Sequence, residues 1–237
     1  MLEAFGLSDS GCVRTNNEDS YLLDPVRDLY LVADGMGGAQ AGEHASKLAV
    51  DTVADECRKA EEPSAEALLH AFEEANRRVL QAANGDPTLF GMGTTLTAAW
   101  RLGNEMLLAN VGDSRAYVLI DGQLHTITDD QTWVNEVGRK LGIGELALRT
   151  HPMRHVLTMA IGVGDALRVQ SYAIPLLPGA EFLLCSDGLH GVVEPPVLQE
   201  ILGDKRNLEA KSHSLIDAAR KAGGPDNITV VILRVAE

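Results

Sequence analysis

Four apolar runs in this chain each meet an aspartate at one end. Leu29-Tyr30-Leu31-Val32-Ala33 stops at Asp34-Gly35, followed by Met36-Gly37-Gly38. Residues 181–185 stop at Ser186-Asp187-Gly188, and residues 106–111 stop at Gly112-Asp113. Near the C-terminus the order inverts, with Gly223-Gly224-Pro225-Asp226-Asn227 preceding the run 228–233. Short runs of branched and aromatic residues read as strands covered on both faces. Such a strand has no use for a carboxylate except where it leaves the core, and glycine lets the backbone turn and approach a neighbour closely. In an antiparallel sheet the start of one strand lies beside the end of the next. Three acids at strand exits and one at an entrance are therefore expected on one rim.

One Asp-Gly is ordinarily a turn, and Asp121-Gly122 is read as a turn joining two strands. Four acids at the tips of apolar runs call for more, because half-buried carboxylates repel one another unless a cation lies between them. A pair of cations about 3.5–4 Å apart resolves the conflict. Oxygen donors alone favour magnesium or manganese over zinc or copper. Arg14, with Glu18 and Asp19 close behind it, offers a planar fork suited to phosphate oxygens, and the two acids suit hydrogen bonds from metal-bound waters.

At 237 residues, 45% hydrophobic and 23% charged, the chain reads as one globular domain spanning 1–237. Its net charge of -14 argues against a nucleic-acid footprint and against an anionic membrane surface. Cys12, Cys57 and Cys185 show no C-x-x-C spacing, so neither a disulfide frame nor a zinc site is read and a reducing compartment fits. No apolar run approaches the roughly 18 residues of a membrane span, and residues 1–5 do not open a signal peptide. A cytoplasmic monomer without nucleic-acid or membrane partners is expected.

Strands are expected over 5–10, 20–23 and 29–33, then helices over 41–59 and from Pro63-Ser64 to Asn84-Gly85. Proline suits the first turn of the second helix and serine its cap. Strands 95–102, 105–111 and 115–120 follow, linked by hairpin signals at Gly103-Asn104 and Asp121-Gly122. Residues 129–165 are broken by Gly138, Gly142 and Gly144, with a short helix through Trp133, Val134 and Val137. They read as a mobile flap in which Arg149 and Arg154 orient substrate. Strands 167–174 and 181–185, helices 195–202 and 207–222, and strand 228–235 close the chain. The pattern gives an α+β domain: two packed antiparallel sheets flanked by helices on both sides, an α-β-β-α sandwich.

In order along the chain stand Arg14-x-x-x-Glu18-Asp19, Asp34-Gly35-x-Gly37-Gly38, Gly93-Thr94-Thr95, Asn110-Val111-Gly112-Asp113-Ser114-Arg115, Ser186-Asp187-Gly188 and Asp226-Asn227-Ile228-Thr229. From Phe5 to Val235 the chain resembles the metal-dependent serine/threonine protein phosphatases of the PPM, or type 2C, family in its compact bacterial form. The resemblance implies a binuclear manganese or magnesium centre. In it Asp34 bridges two metals, the Gly35 carbonyl binds the first, and Asp187 and Asp226 complete the second. It implies a third, weaker metal at Asp113 with Asp187, phosphate binding by Arg14, and metal-bound water held by Glu18 and Asp19. The activity implied is hydrolysis of phosphoserine and phosphothreonine in proteins by a water that the metals acidify, opposing a kinase in bacterial signalling. The partner is then a phosphoprotein, a kinase or its target.

Three departures stand out. Met36 occupies the place of a histidine general acid in animal members, which leaves a metal-bound water as the proton donor. Gln131 stands where relatives often carry histidine, and Met159 where many bacterial members carry arginine. A catalytically silent phosphoprotein-binding module and a small-metabolite phosphatase are the alternative readings. The sequence contains no C-x5-R, no P-loop and no H-E-x-x-H motif. Among the seven histidines, His44 reads as a helix-surface residue and His190 as capping or surface. Cys185 reads as core and Trp133 as packing within the flap.

Overall fold

The computed structural model describes residues 2–37 and 41–236, without the side chain of Arg149. Gly38 and that arginine side chain, both singled out from the sequence, lie outside the described residues. Two antiparallel sheets stack face to face. One runs β1 (Leu2–Asp9), β11 (Ile228–Val235), β10 (Glu181–Cys185), β7 (Arg115–Ile120), β8 (Gln123–Thr126). The other runs β2 (Asp19–Asp24), β3 (Leu29–Met36), β5 (Leu96–Leu102), β6 (Glu105–Val111), β9 (Gln170–Pro175), with the short β4 (Gly93–Thr94) paired to the end of β3.

Alternation along each strand builds three cores. Tyr30 and Val32 of β3 meet Phe182 and Leu184 of β10 between the sheets. Their neighbours Leu29, Leu31 and Ala33 face α1 (Ala41–Lys59) and α2 (Ala65–Gly85). Leu183 and Cys185 face away, toward α4 (Asp187–His190), α5 (Pro195–Gly203) and α6 (Leu208–Lys221). A period of two thus serves two packed faces at once. Ala45, Ala49, Val53 and Cys57 are all fully buried, and their small side chains let α1 lie close on its sheet. The expected α-β-β-α sandwich is what forms.

Several boundaries differ from the sequence reading. The opening strand continues through Asp34 to Met36, because Gly35 and Met36 find ladder partners in Thr94 and Gly93. Ser64 is the N-cap of α2, its hydroxyl accepting from the Ala67 N–H at 3.1 Å, so Pro63 precedes the cap and lies outside the first turn. Strand β9 begins at Gln170 and not at 167, since the Arg168 carbonyl is taken by the Gln131 side chain at 2.9 Å. The flap holds a wide single turn over Val134–Gly138 and a short α3 (Glu145–Arg149). Trp133 stacks on His151 with ring centroids 4.5 Å apart, which is packing within the flap.

The flap is also moored more firmly than its glycines suggested. At one root Gln131 is fully buried. At the other, Thr94 bridges Ile161, and the buried Asn76 of α2 accepts from the Gly162 N–H at 2.7 Å and donates to the Gly164 carbonyl at 2.9 Å.

Candidate metal centre

The acids come together where the two sheets share a rim. A cleft of about 770 Å³ is lined by Arg14, Glu18, Asp34, Gly35, Asp113, Asp187 and Asp226, together with the flap residues His155, Val156 and Leu157. Each acid arrives by a short route. Asp34 lies within β3, its N–H donating to the Thr95 hydroxyl and its carbonyl accepting from the Thr95 N–H, both at 2.9 Å. Gly112, at φ 100°, turns the chain out of β6 so that Asp113 follows at the corner. Asp187 opens α4 directly after β10, and Asp226 stands two residues before β11.

Close backbone contact explains Gly35. A Cβ there would collide with the carbonyl oxygens of Gly42 and Glu18, so only glycine lets the β3 exit reach the start of α1. Glu18 is fixed by Asn227, whose Oδ1 accepts from the Glu18 N–H at 2.8 Å, and its carboxylate accepts from Asn16 at 2.9 Å. Asp19 sits opposite Asp34 in the β2–β3 register, behind the cleft and not on its lining. The Ser186 hydroxyl donates to Asp19 Oδ2 at 2.8 Å, while the buried Oδ1 has no hydrogen-bond partner.

The electrostatics are those of a concentrated negative site. Burial raises the Asp34 pKa well above the carboxylate range, reinforced by Asp19, Asp187, Asp113 and Asp226. Burial, then Asp187 and Asp130, pushes Asp113 up to about 8. Burial pushes Asp19 up to about 7, opposed by the Thr229 and Ser186 hydroxyls and aided by Asp187 and Asp226. Burial and Asp226 raise Asp187, opposed by its closeness to the Asp34 carboxyl and by the positive groups nearby. Carboxyl groups crowded in this way resist ionising together, a conflict that a cation between them relieves. Among the described residues no three His, Cys, Asp or Glu side chains draw into a compact ligand cluster. Asp226 is instead turned toward Arg14, 2.8 Å away, which holds the Arg14 pKa above its ordinary value. The orphaned Asp19 oxygen, the crowded carboxylates and the purely oxygen donor set fit hard divalent cations.

Sequence reasoning gave no role to several residues that build the site. Thr95 and Ser114 join their hydroxyls at 2.7 Å, linking the Asp34 strand to the Asp113 corner. Gln131 accepts from the Gly112 N–H at 2.8 Å and donates from its own N–H to the Gly112 carbonyl at 3.0 Å. His190 is half-buried and is not the cap of its helix, which is Gly191. Its Nε2 contacts the Asp113 carbonyl at 2.9 Å, and because that oxygen can only accept, Nε2 carries the proton. Burial pushes His190 down to about 4, which keeps it neutral. Position next to a tip acid could have flagged Ser114 and His190, whereas Thr95 and Gln131 reach the site only through tertiary contacts and carry no such signal. Arg154 is exposed and does not line the cleft, whereas His155 does. His44 lies exposed on α1 and Cys185 is fully buried, as read from the sequence.

Among known proteins, the family model "Protein phosphatase 2C" matches residues 13–222. The serine/threonine phosphatase stp of Listeria monocytogenes is 36% identical over 235 residues, covering 95% of this chain and 93% of that one. The crystal structure of the Mycobacterium tuberculosis serine/threonine phosphatase PstP/Ppp superposes with a TM-score of 0.91 at 36% identity, covering 100% of this chain and 99% of the other. The catalytic domain of PstP in complex with 2 manganese ions gives a TM-score of 0.86 at 35% identity, with coverage of 100% and 99%. The chain thus belongs to the protein phosphatase 2C family and is a metal-dependent serine/threonine protein phosphatase of its bacterial type.

Proposed function

We propose that this chain hydrolyses phosphoserine and phosphothreonine in proteins with two manganese or magnesium ions held at the rim of the sandwich. Asp34 and the Gly35 carbonyl, with Asp187 and Asp226, would hold the pair, and Asp113 with Asp187 a third, weaker ion. One observation carries the reading: five carboxylates line the cleft against Arg14 and His155. Such a cleft repels a phosphate dianion unless cations reverse its sign. When bound, the cations supply Lewis acidity toward the phosphoryl group and lower the pKa of water toward neutrality.

This chain's own residues do the rest. Arg14 is half-exposed on the cleft lining and would present its planar fork to the phosphoryl oxygens. Glu18, held by Asn16 and Asn227, and the free oxygen of Asp19 orient water by accepting its hydrogens. Gly35 allows the close approach, and Thr95 holds Asp34 in line.

The physiological reading is a phosphatase opposing a serine/threonine kinase in the cytoplasm. Three free cysteines support a reducing compartment, and among the described residues no helix is long and apolar enough to cross a membrane. A monomer is proposed, to be checked by sedimentation. Asp34→Asn and Asp187→Asn should each lower kcat/KM on a phosphothreonine peptide by about a thousandfold, since metal ligation supplies several kcal/mol. Calorimetric manganese titration should lose a strong site in both variants. Undiminished turnover in excess chelator would refute the proposal.

A further inference from the structure

A seryl or threonyl oxygen leaves phosphorus badly as an alkoxide and needs a proton as the bond breaks. The lining of the cleft narrows the choice of donor. Arg14 keeps its proton, the more so beside Asp226. The Thr95 hydroxyl is occupied by the Asp34 N–H and Ser114. Met36 is apolar. Asp34, Asp113, Asp187 and Asp226 are ligands on the reading above, and Glu18 is an acceptor for Asn16. Among the side chains of the lining His155 remains, in place of the metal-bound water expected from the sequence, and histidine is the side chain that most often moves a proton in a transition state.

Its placement suits the task. His155 comes from the flap and shares the cleft lining with Asp187 and Asp34. It is exposed to solvent, so it can be reprotonated. It is not carried on a loose tip. The Trp133 N–H donates to the Val156 carbonyl at 2.8 Å, the Thr158 N–H to the Gln131 carbonyl at 2.9 Å, and Thr132 pairs with Leu157. Gln131 is in turn locked to Gly112, next to Asp113. The backbone on either side of His155 is thereby indexed to the acids of the cleft.

We propose that His155 is the general acid for the leaving seryl or threonyl oxygen, an assignment that rests on the phosphatase reading of this cleft. Water forms the new bond to phosphorus and loses a proton to solvent. The phosphorus–oxygen bond to the substrate breaks, and its electron pair goes to the leaving oxygen. The proton on a ring nitrogen of His155 passes to that oxygen, and the neutral ring takes another from solvent.

The test compares wild type with His155→Gln and His155→Asn on aryl phosphates of graded phenol acidity and on a phosphothreonine peptide, all with saturating manganese. Removing a general acid should steepen the dependence of kcat/KM on leaving-group basicity. The loss should be smallest for the most acidic phenol and reach about 10²–10⁴-fold for the peptide. Manganese titration should match wild type, since the ring is no ligand. Parallel leaving-group slopes in variant and wild type, or equal losses on the most acidic phenol and the peptide, would overturn the assignment. A wild-type protein inert to every ester would overturn both the assignment and the reading beneath it.

Discussion

Gln131 uses both ends of one amide. Its Oε1 accepts from Gly112 at 2.8 Å in a buried bond, and its Nε2 donates to the carbonyl of the exposed Arg168 at 2.9 Å in a half-buried one. Gln131→Ala would leave the buried Gly112 N–H unpaired at a cost of about 1–3 kcal/mol, with a smaller loss at the half-buried Arg168 carbonyl. Urea unfolding should show that loss, and a smaller change would mean that water enters to replace the amide. Asp34 makes the complementary point about single residues. Facing Asp19 directly across β2–β3, it breaks the rule that like charges should not be cross-strand partners. A sequence shows such a violation only when the register is known, which is why the tip acids were legible one by one while the Asp19–Asp34 confrontation was not.

At the scale of elements, α6 is pinned by an unusual buried lysine. Lys211 is 1% exposed, donates to both oxygens of Glu181 at 2.7 and 2.8 Å, and also bonds the Leu202 carbonyl. Arg234 reaches the same carboxylate at 2.8 Å. Lys211→Met should cost about 3 kcal/mol, because it leaves the Glu181 carboxylate with less than its due at the start of β10. Lys211→Met with Glu181→Leu should recover part of that cost in the same denaturation assay. Helices and strands with a clean period announced themselves: Ala45, Ala49, Val53 and Cys57 for α1, and Leu29 to Ala33 for β3. What failed was local pattern under tertiary demand. Strand β9 starts late because Gln131 claims the Arg168 carbonyl, and β3 overruns Ala33 because Gly93-Thr94 comes from far along the chain to pair with it. The pairing of β1 with β11, which joins the two ends of the chain, is a matter of partners and leaves no mark in either strand alone. His155 went unnoticed for the same reason, since nothing near it in sequence is acidic.

For the molecule as a whole, the rim acids oppose folding at neutral pH until cations arrive. Take the protein freed of metal by chelator. Asp19 and Asp113 have folded values of about 7 and about 8, both above the unfolded value near 3.9. The folded state therefore keeps protons that the unfolded chain has released, so this contribution to stability is fully present below about pH 3.9 and fades as pH rises through about 7 to 8. The melting temperature of the metal-free protein should fall between pH 5 and pH 8, beyond any change seen in Asp113→Asn. Manganese at a hundredfold excess over its Kd should restore about 2.7 kcal/mol at neutral pH. A melting temperature indifferent to manganese would contradict the placement of these acids. The moorings of the flap carry a last consequence, for exchange between relatives. Gln131 ties one root to Gly112, and Asn76 ties the other to Gly162 and Gly164. A loop swapped between positions 139 and 154 keeps both knots and leaves His155 in place. A swap cut at 129 and 165 discards the side of each knot that lies in the segment, and the newcomer must then find its own hold on a helix and a corner shaped for another occupant. The unit that evolution or an engineer can trade freely is thus shorter than the loop the eye picks out.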